Sequence, residues 1–175
     1  MAIDISIFRM PRWREIPDVG LYLDQTIKYI NRHLAPLGCM EITSSMVSNY
    51  VKKGYIASPV HKQYDADQIA HLFFIAIAKN VLSMENIARL FRMQQEHYDS
   101  QTAYDYFCDE LEALMRYIFG VDEDLSRLGS VGSEQKDMLR SVIVAVANII
   151  YLSDRFSDLA AREQGAAPSQ PPAGA

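Results

Sequence analysis

The sequence predicts an all-α protein, or very nearly one. Three observations carry this. Apolar residues recur three and four positions apart through six segments, the spacing that gathers them on one face of an α-helix. Several of those segments follow a Thr, Ser or Asp placed to cap a helix, and several end at a Gly. No stretch alternates apolar and polar residues for long enough to build a sheet of any size. At most, two short strands pair around the turn from Tyr55 to Tyr64.

The first helix is expected to open at Pro17 and Asp18. Leu23, Ile27, Ile30 and Leu34 form its apolar stripe, and Pro36 and Gly38 end it. Thr43 has a hydroxyl placed to accept from an orphan amide of the next helix, which runs to about Lys53. Met46, Val47, Tyr50 and Val51 share one side of that helix; Ser45, Ser48, Asn49 and Lys52 share the other. Gly54 suits the left-handed position past a helix end. Residues 55–64 hold Pro59 and no helical period, which predicts an extended turn or small wing.

Asp65 and Gln68 have the spacing of a capping box for a third helix through about Val81, with Ile69, Leu72, Phe73 and Ala76 inward. Ser83 caps a fourth, with Ile87, Leu90 and Phe91 inward. A longer helix from about Ser100 to Phe119 carries Tyr104, Phe107, Leu111, Leu114 and Ile118, and Gly120 stops it. After a polar connection, Ser133 caps a last helix from Glu134 to about Arg162. That helix is apolar around much of its circumference, so it is expected to be buried on more than one side. It reads as a central helix of the C-terminal half or as half of a dimer interface.

The composition narrows the functional classes. A chain of 175 residues, 49% hydrophobic, has room for one large domain or two small ones. Its net charge of -5 argues against a protein that meets nucleic acid over its whole surface, so any such contact is a local patch. The first residues lack the apolar core of a signal peptide. The longest apolar run, Val142 to Leu152, is broken by Asn148 and too short for a bilayer, so no membrane partner is expected. Cys39 and Cys108 are too few for a disulfide framework, which points to a cytoplasmic protein. The Pro-, Gly- and Ala-rich segment 164–175 reads as a disordered tail.

A local patch does exist. Residues 43–64 contain Lys52, Lys53, Lys62 and His61 and no acid. A recognition helix needs an apolar face to hold it and a short polar face to reach bases and phosphates. Ser45, Ser48 and Asn49 supply hydrogen-bonding groups, Asn being able to pair with an adenine edge, while lysines neutralise phosphates. The same stripe also fits the ordinary solvent face of a surface helix.

The order of these elements adds a resemblance. TSSMVSNYVKKGYIASP, then Tyr64, Ile69 and Leu72, then Leu82-Ser83-Met84-Glu85-Asn86-Ile87, resembles the MerR-type winged helix-turn-helix over roughly residues 41–92. The pattern departs at Gln63 and Asp65, beside Tyr64, where MerR-type wings usually carry an arginine. The segment WREIPDVGLYLDQTIKYINRHL together with TSSMVSNYVKKGYI also resembles an uncharacterised bacterial family, the domain of unknown function 1836, itself similar to MerR-type proteins. The MerR resemblance implies groove-facing Ser45, Ser48, Asn49 and Lys52, with Lys62 on the wing.

Elsewhere the signals are weaker. Trp13, Ile16 and Pro17 are expected to anchor an N-terminal arm onto the core. The aromatic residues include Tyr98, Tyr104, Tyr106 and Tyr117, which could line a ligand pocket for a small-molecule effector; the competing expectation places Tyr104, Phe107 and Leu111 in a core stripe, with Tyr106 and Tyr117 half-exposed. The four histidines are scattered and Cys108 sits among apolar neighbours, so neither a metal nor any other cofactor is expected. Asp105, Asp109, Glu110 and Glu112 read as a solvated acidic face. No catalytic motif occurs, and the protein is expected not to be an enzyme.

The expected organisation is a MerR-like winged helix-turn-helix domain over 10–95 and a small C-terminal helical bundle over 96–163. The expected function is a sequence-specific transcriptional regulator that binds double-stranded DNA as a homodimer. The alternative is a helical protein-interaction module that keeps the fold without binding DNA.

Overall fold

The computed structural model describes residues 3–38, 40–126, 128–129 and 132–165. Among them the chain forms, in order, a two-residue strand β1 (Leu21–Tyr22), α1 (Leu23–Leu34), α2 (Ser44–Lys52), a second short strand β2 (Gln63–Tyr64), α3 (Ala66–Ala78), α4 (Met84–Gln95), α5 (Ser100–Ile118) and α6 (Glu134–Gly165). The architecture is mainly helical, as the periodicity predicts. Helix α6 runs through Gly165, into the expected tail; residues 166–175 lie outside the described residues, as does Cys39.

Local chemistry starts most of the helices. The Thr43 hydroxyl accepts from the Met46 amide at 3.3 Å. Asp65 and Gln68 close the full box: the Asp65 carboxylate accepts from the Gln68 amide at 2.8 Å and the Gln68 side chain accepts from the Asp65 amide at 2.9 Å. Ser83, Asp99 and Ser133 cap α4, α5 and α6 in the same way. Gly54 and Gly120 sit at φ of 75° and 73°, where a β-carbon is strained.

Helix α3 is the centre of the molecule. It is buried around most of its circumference, from Gln68 to Ala78 with only His71 partly exposed. Helix α6 is not buried on all sides. It lays Ile143, Val146, Ala147 and Ile150 against α5, α3 and α4, while Met138, Val144, Leu152, Phe156 and Leu159 face solvent. One core cluster draws on both the N-terminal and the C-terminal helices, and α5 packs on α6 most extensively.

Two features depart from the sequence expectations. The first helix begins at Leu23, not at Pro17. The intervening residues turn at Gly20 (φ 77°) and form β1, whose Leu21 and Tyr22 pair antiparallel with Tyr64 and Gln63. A β-carbon at Gly20 would meet the Gln63 Cβ at 3.1 Å, so glycine permits the approach of the two strands. The wing strand therefore finds its partner ahead of α1; within the wing only an isolated Val60–Gln63 bridge forms.

The second is the acidic stretch on α5. Asp105 accepts from the Trp13 amide at 2.8 Å, and Glu112 accepts from the Met10 amide at 2.7 Å. The Arg12 guanidinium spans Asp109 and Glu112, each at 2.7 Å. These carboxylates hold an N-terminal arm against the core, where Ile5, Phe8, Met10 and Ile16 are buried. The expected anchoring by Trp13 and Ile16 is present, and it extends upstream to Ile5. Glu110 lies wholly inside, pairing with Arg140 Nε at 2.8 Å and accepting from the Gly129 amide at 2.7 Å.

Candidate nucleic-acid interface

Helices α1 and α2 are joined by a nine-residue connection that is tied down at its far end. The Asn31 side chain donates to the Ile42 carbonyl at 2.9 Å and accepts from the Ile42 amide at 3.0 Å. Lys79 Nζ donates to the Glu41 carbonyl. These bonds fix where α2 starts. Val47 and Tyr50 then bury its inner face, with Met46 and Val51 partly covered beside them.

The opposite face of α2 is left to solvent. Ser45, Ser48, Asn49 and Lys52 are all exposed along it, and Lys53 follows at its end. Among the described residues neither Lys52, Lys53 nor Lys62 makes an ion pair within 4.0 Å. Glu85 on α4 lies close enough to Lys53 for an electrostatic attraction. Its carboxyl is held below the usual range chiefly by its own backbone amide and by hydrogen bonds from Tyr55 and Ser83.

After α2 the chain turns through Tyr55 and the buried Ile56 and is pinned by Gln68, whose side-chain amide donates to the Ala57 carbonyl at 2.9 Å. The wing tip is His61-Lys62. Both residues are exposed and both lie in the left-handed region, at φ of 49° and 65°. Two consecutive left-handed residues, with the Gln63 amide donating to the Val60 carbonyl at 2.9 Å, make a tight two-residue hairpin turn and leave both side chains exposed. The seven residues singled out in the sequence are thus one exposed helix face, its C-terminal lysine and a hairpin tip.

The tyrosines divide. Tyr98, Tyr104 and Tyr106 line a single cavity between α3, α4, α5 and α6, together with Phe74, Phe91 and Phe107; Tyr117 is not part of it and stands half-exposed on α5. Tyr104, Phe107 and Leu111 are at the same time buried core residues, so the stripe and the pocket coexist. Sequence reasoning missed the contributions of His71, Lys136 and Leu139 to this cavity. They come from other helices, and no local pattern links them. Cys108 is buried, with its thiol pushed upward by that burial. Among the described residues no group of three His, Cys, Asp or Glu side chains is placed to hold a metal ion, and no helix is long and apolar enough to cross a membrane.

One family model matches residues 11–107, more than half of the chain. The chain belongs to that family, the Domain of unknown function (DUF1836). No curated protein and no solved structure matches. The DUF1836 span starts beside the Arg12 clamp and takes in the strand pair, α1 to α4 and the first turns of α5. The exposed face of α2 and the hairpin tip lie wholly inside it. The cavity straddles its edge, because Gln135, Lys136 and Leu139 on α6 fall outside.

Proposed function

We propose that the protein is a cytoplasmic, sequence-specific DNA-binding transcriptional regulator whose α2 serves as the recognition helix of a MerR-like winged helix-turn-helix. The observation that carries this reading is the face of α2. Its four polar residues are all exposed, its cap and inner face are fixed, and among the described residues its lysines make no ion pair within 4.0 Å. A helix held rigidly with small polar groups and lysines outward suits the major groove. The hairpin tip supports it by offering Lys62 and His61 on a second, short element. With a net charge of -5, contact is confined to this patch.

A two-fold reader fits the outer face of α6. Ala145, Ile149, Leu152, Phe156 and Leu159 follow one another at steps of four and three, the spacing of a coiled-coil seam, and all are exposed or only partly covered. We assign that seam to a second copy of the chain.

The test is selection of sheared genomic DNA on the full chain at moderate salt, with Lys52→Glu as control, followed by sequencing. An enriched pair of half-sites that disappears in the control supports the reading. On the enriched site, Asn49→Ala costs about 1–3 kcal/mol and relaxes preference at one base pair, while Lys52→Ala weakens all sequences and lowers the salt slope by about one. Absence of enrichment over Lys52→Glu overturns it in favour of a helical protein-interaction module.

A further inference from the structure

Between α3, α4, α5 and α6 lies a cavity of about 160 Å³. Its walls are aromatic. Phe74 meets Phe91 at 5.4 Å and Phe107 edge-on at 5.1 Å, ring centre to ring centre. An apolar cavity of roughly 150 Å³ is enough to hold benzene, so the space matches one six-membered aromatic ring.

One further observation sets the polar part of an occupant, and it is Lys136. It stands at the α6 side of the cavity with its ammonium 5.1 Å from the centre of the Tyr106 ring and 5.9 Å from that of Tyr98. No carboxylate among the described residues pairs with it. A lysine held over two aromatic rings beside an apolar void is a cation positioned to receive an anion.

We infer that this cavity is a binding site for a one-ring aromatic carboxylate, its ring against the wall formed by Phe74, Phe91 and Phe107 and its carboxylate on Lys136. Ligand binding in this cavity is measured without DNA, so its failure and a failure of DNA binding are distinguishable.

The experiment titrates the full chain with 4-hydroxybenzoate and benzoate by calorimetry, with benzyl alcohol as the neutral ring and acetate as the ringless acid. The chain has a single tryptophan, whose one indole N–H signal reports locally in a nitrogen–proton spectrum; Trp13 lies edge-on to Tyr104 of the cavity wall, 6.4 Å between ring centres. The expected result is saturable binding of the aromatic acids with Kd below about 1 mM, a moving Trp13 signal, and no response to acetate. Lys136→Met weakens the acids about tenfold, as loss of a charge-assisted contact does, and leaves benzyl alcohol unchanged. Ala103→Leu, which fills the cavity, removes both. Lys136 is partly exposed at the rim, so its variant keeps the core and decides the matter even where Ala103→Leu fails to fold. No saturable binding of either acid overturns the site. Equal binding of acids by wild type and Lys136→Met, or equal affinity for benzyl alcohol and benzoate, overturns the ligand class.

Discussion

Glu110 offers the most sharply worked prediction. Its side chain is 1% exposed, and each of its two oxygens is engaged: one accepts from Arg140 Nε at 2.8 Å, the other from the Gly129 amide at 2.7 Å. Arg140 closes the ring by donating to the Gly129 carbonyl at 2.6 Å. Three parts of the chain, α5, the connection after it and α6, therefore meet at one carboxylate. In Glu110→Ala the Arg140 charge loses its counter-ion and the Gly129 amide loses its acceptor. Breaking one side of a buried pair costs about 3–5 kcal/mol. Arg140 retains 21% side-chain exposure and can turn partly to water, which puts the loss near the lower end, about 3 kcal/mol. For a chain of this length that lowers Tm by about 6–12 °C. Helical circular dichroism against temperature, or urea, measures it. The double variant Glu110→Met with Arg140→Met removes both charges together and should recover much of that loss, because the desolvation of two ions goes with them. A Tm drop under about 2 °C for Glu110→Ala, or a double variant as damaged as the two single ones added, would refute the reasoning.

Three further outcomes are expected. Burial holds the His71 imidazole below its ordinary value, against the opposing pull of Asp67 and Asp65. Below about pH 6.5 the unfolded chain takes up a proton that the folded chain refuses, so stability from this site is full above that pH and falls as pH drops, by up to about 1.4 kcal/mol per unit; His71→Gln should flatten the pH dependence of the urea midpoint between about pH 7 and 5. His61 occupies the left-handed region, which asparagine tolerates better, so His61→Asn should raise stability by about 0.5 kcal/mol, and a fall in the urea midpoint would contradict the hairpin geometry. Phe156 is 66% exposed, so Phe156→Glu should leave thermal stability of the monomer within about 0.5 kcal/mol while abolishing a dimer seen by sedimentation; a wild-type chain that sediments as a monomer sinks the seam.

The helices were legible because their causes are local. Thr43, Ser83 and Ser133 sit one residue before their helices, and Asp65 and Gln68 reach each other three residues apart. Val47 and Tyr50 declare the inner face of α2 by spacing alone, and so leave Ser45, Ser48, Asn49 and Lys52 outward. What could not be read depends on partners far along the chain. Leu21 and Tyr22 look like the approach to a helix until the wing strand more than 40 residues later claims them. Asp105, Asp109 and Glu112 look solvated because nothing nearby in sequence shows that backbone amides of Met10 and Trp13 and the Arg12 guanidinium will use them. The cavity was legible only in part. Its tyrosines were visible as a cluster, whereas His71 and Lys136 are joined to them only by the packing of α3 and α6.

The arm has a consequence for synthesis. The Ile3 amide donates to the buried Asp154 carboxylate at 2.8 Å, across 151 residues of chain, and Met10 is seated by Glu112 on α5. A ribosome adding about 5–20 residues per second takes on the order of ten seconds to travel from the arm to α6. For that interval Ile5, Phe8 and Met10 have no complete seat and remain available to chaperones. A helix made late thus provides the latch for a residue made 151 positions earlier, and the arm is seated only once both are present.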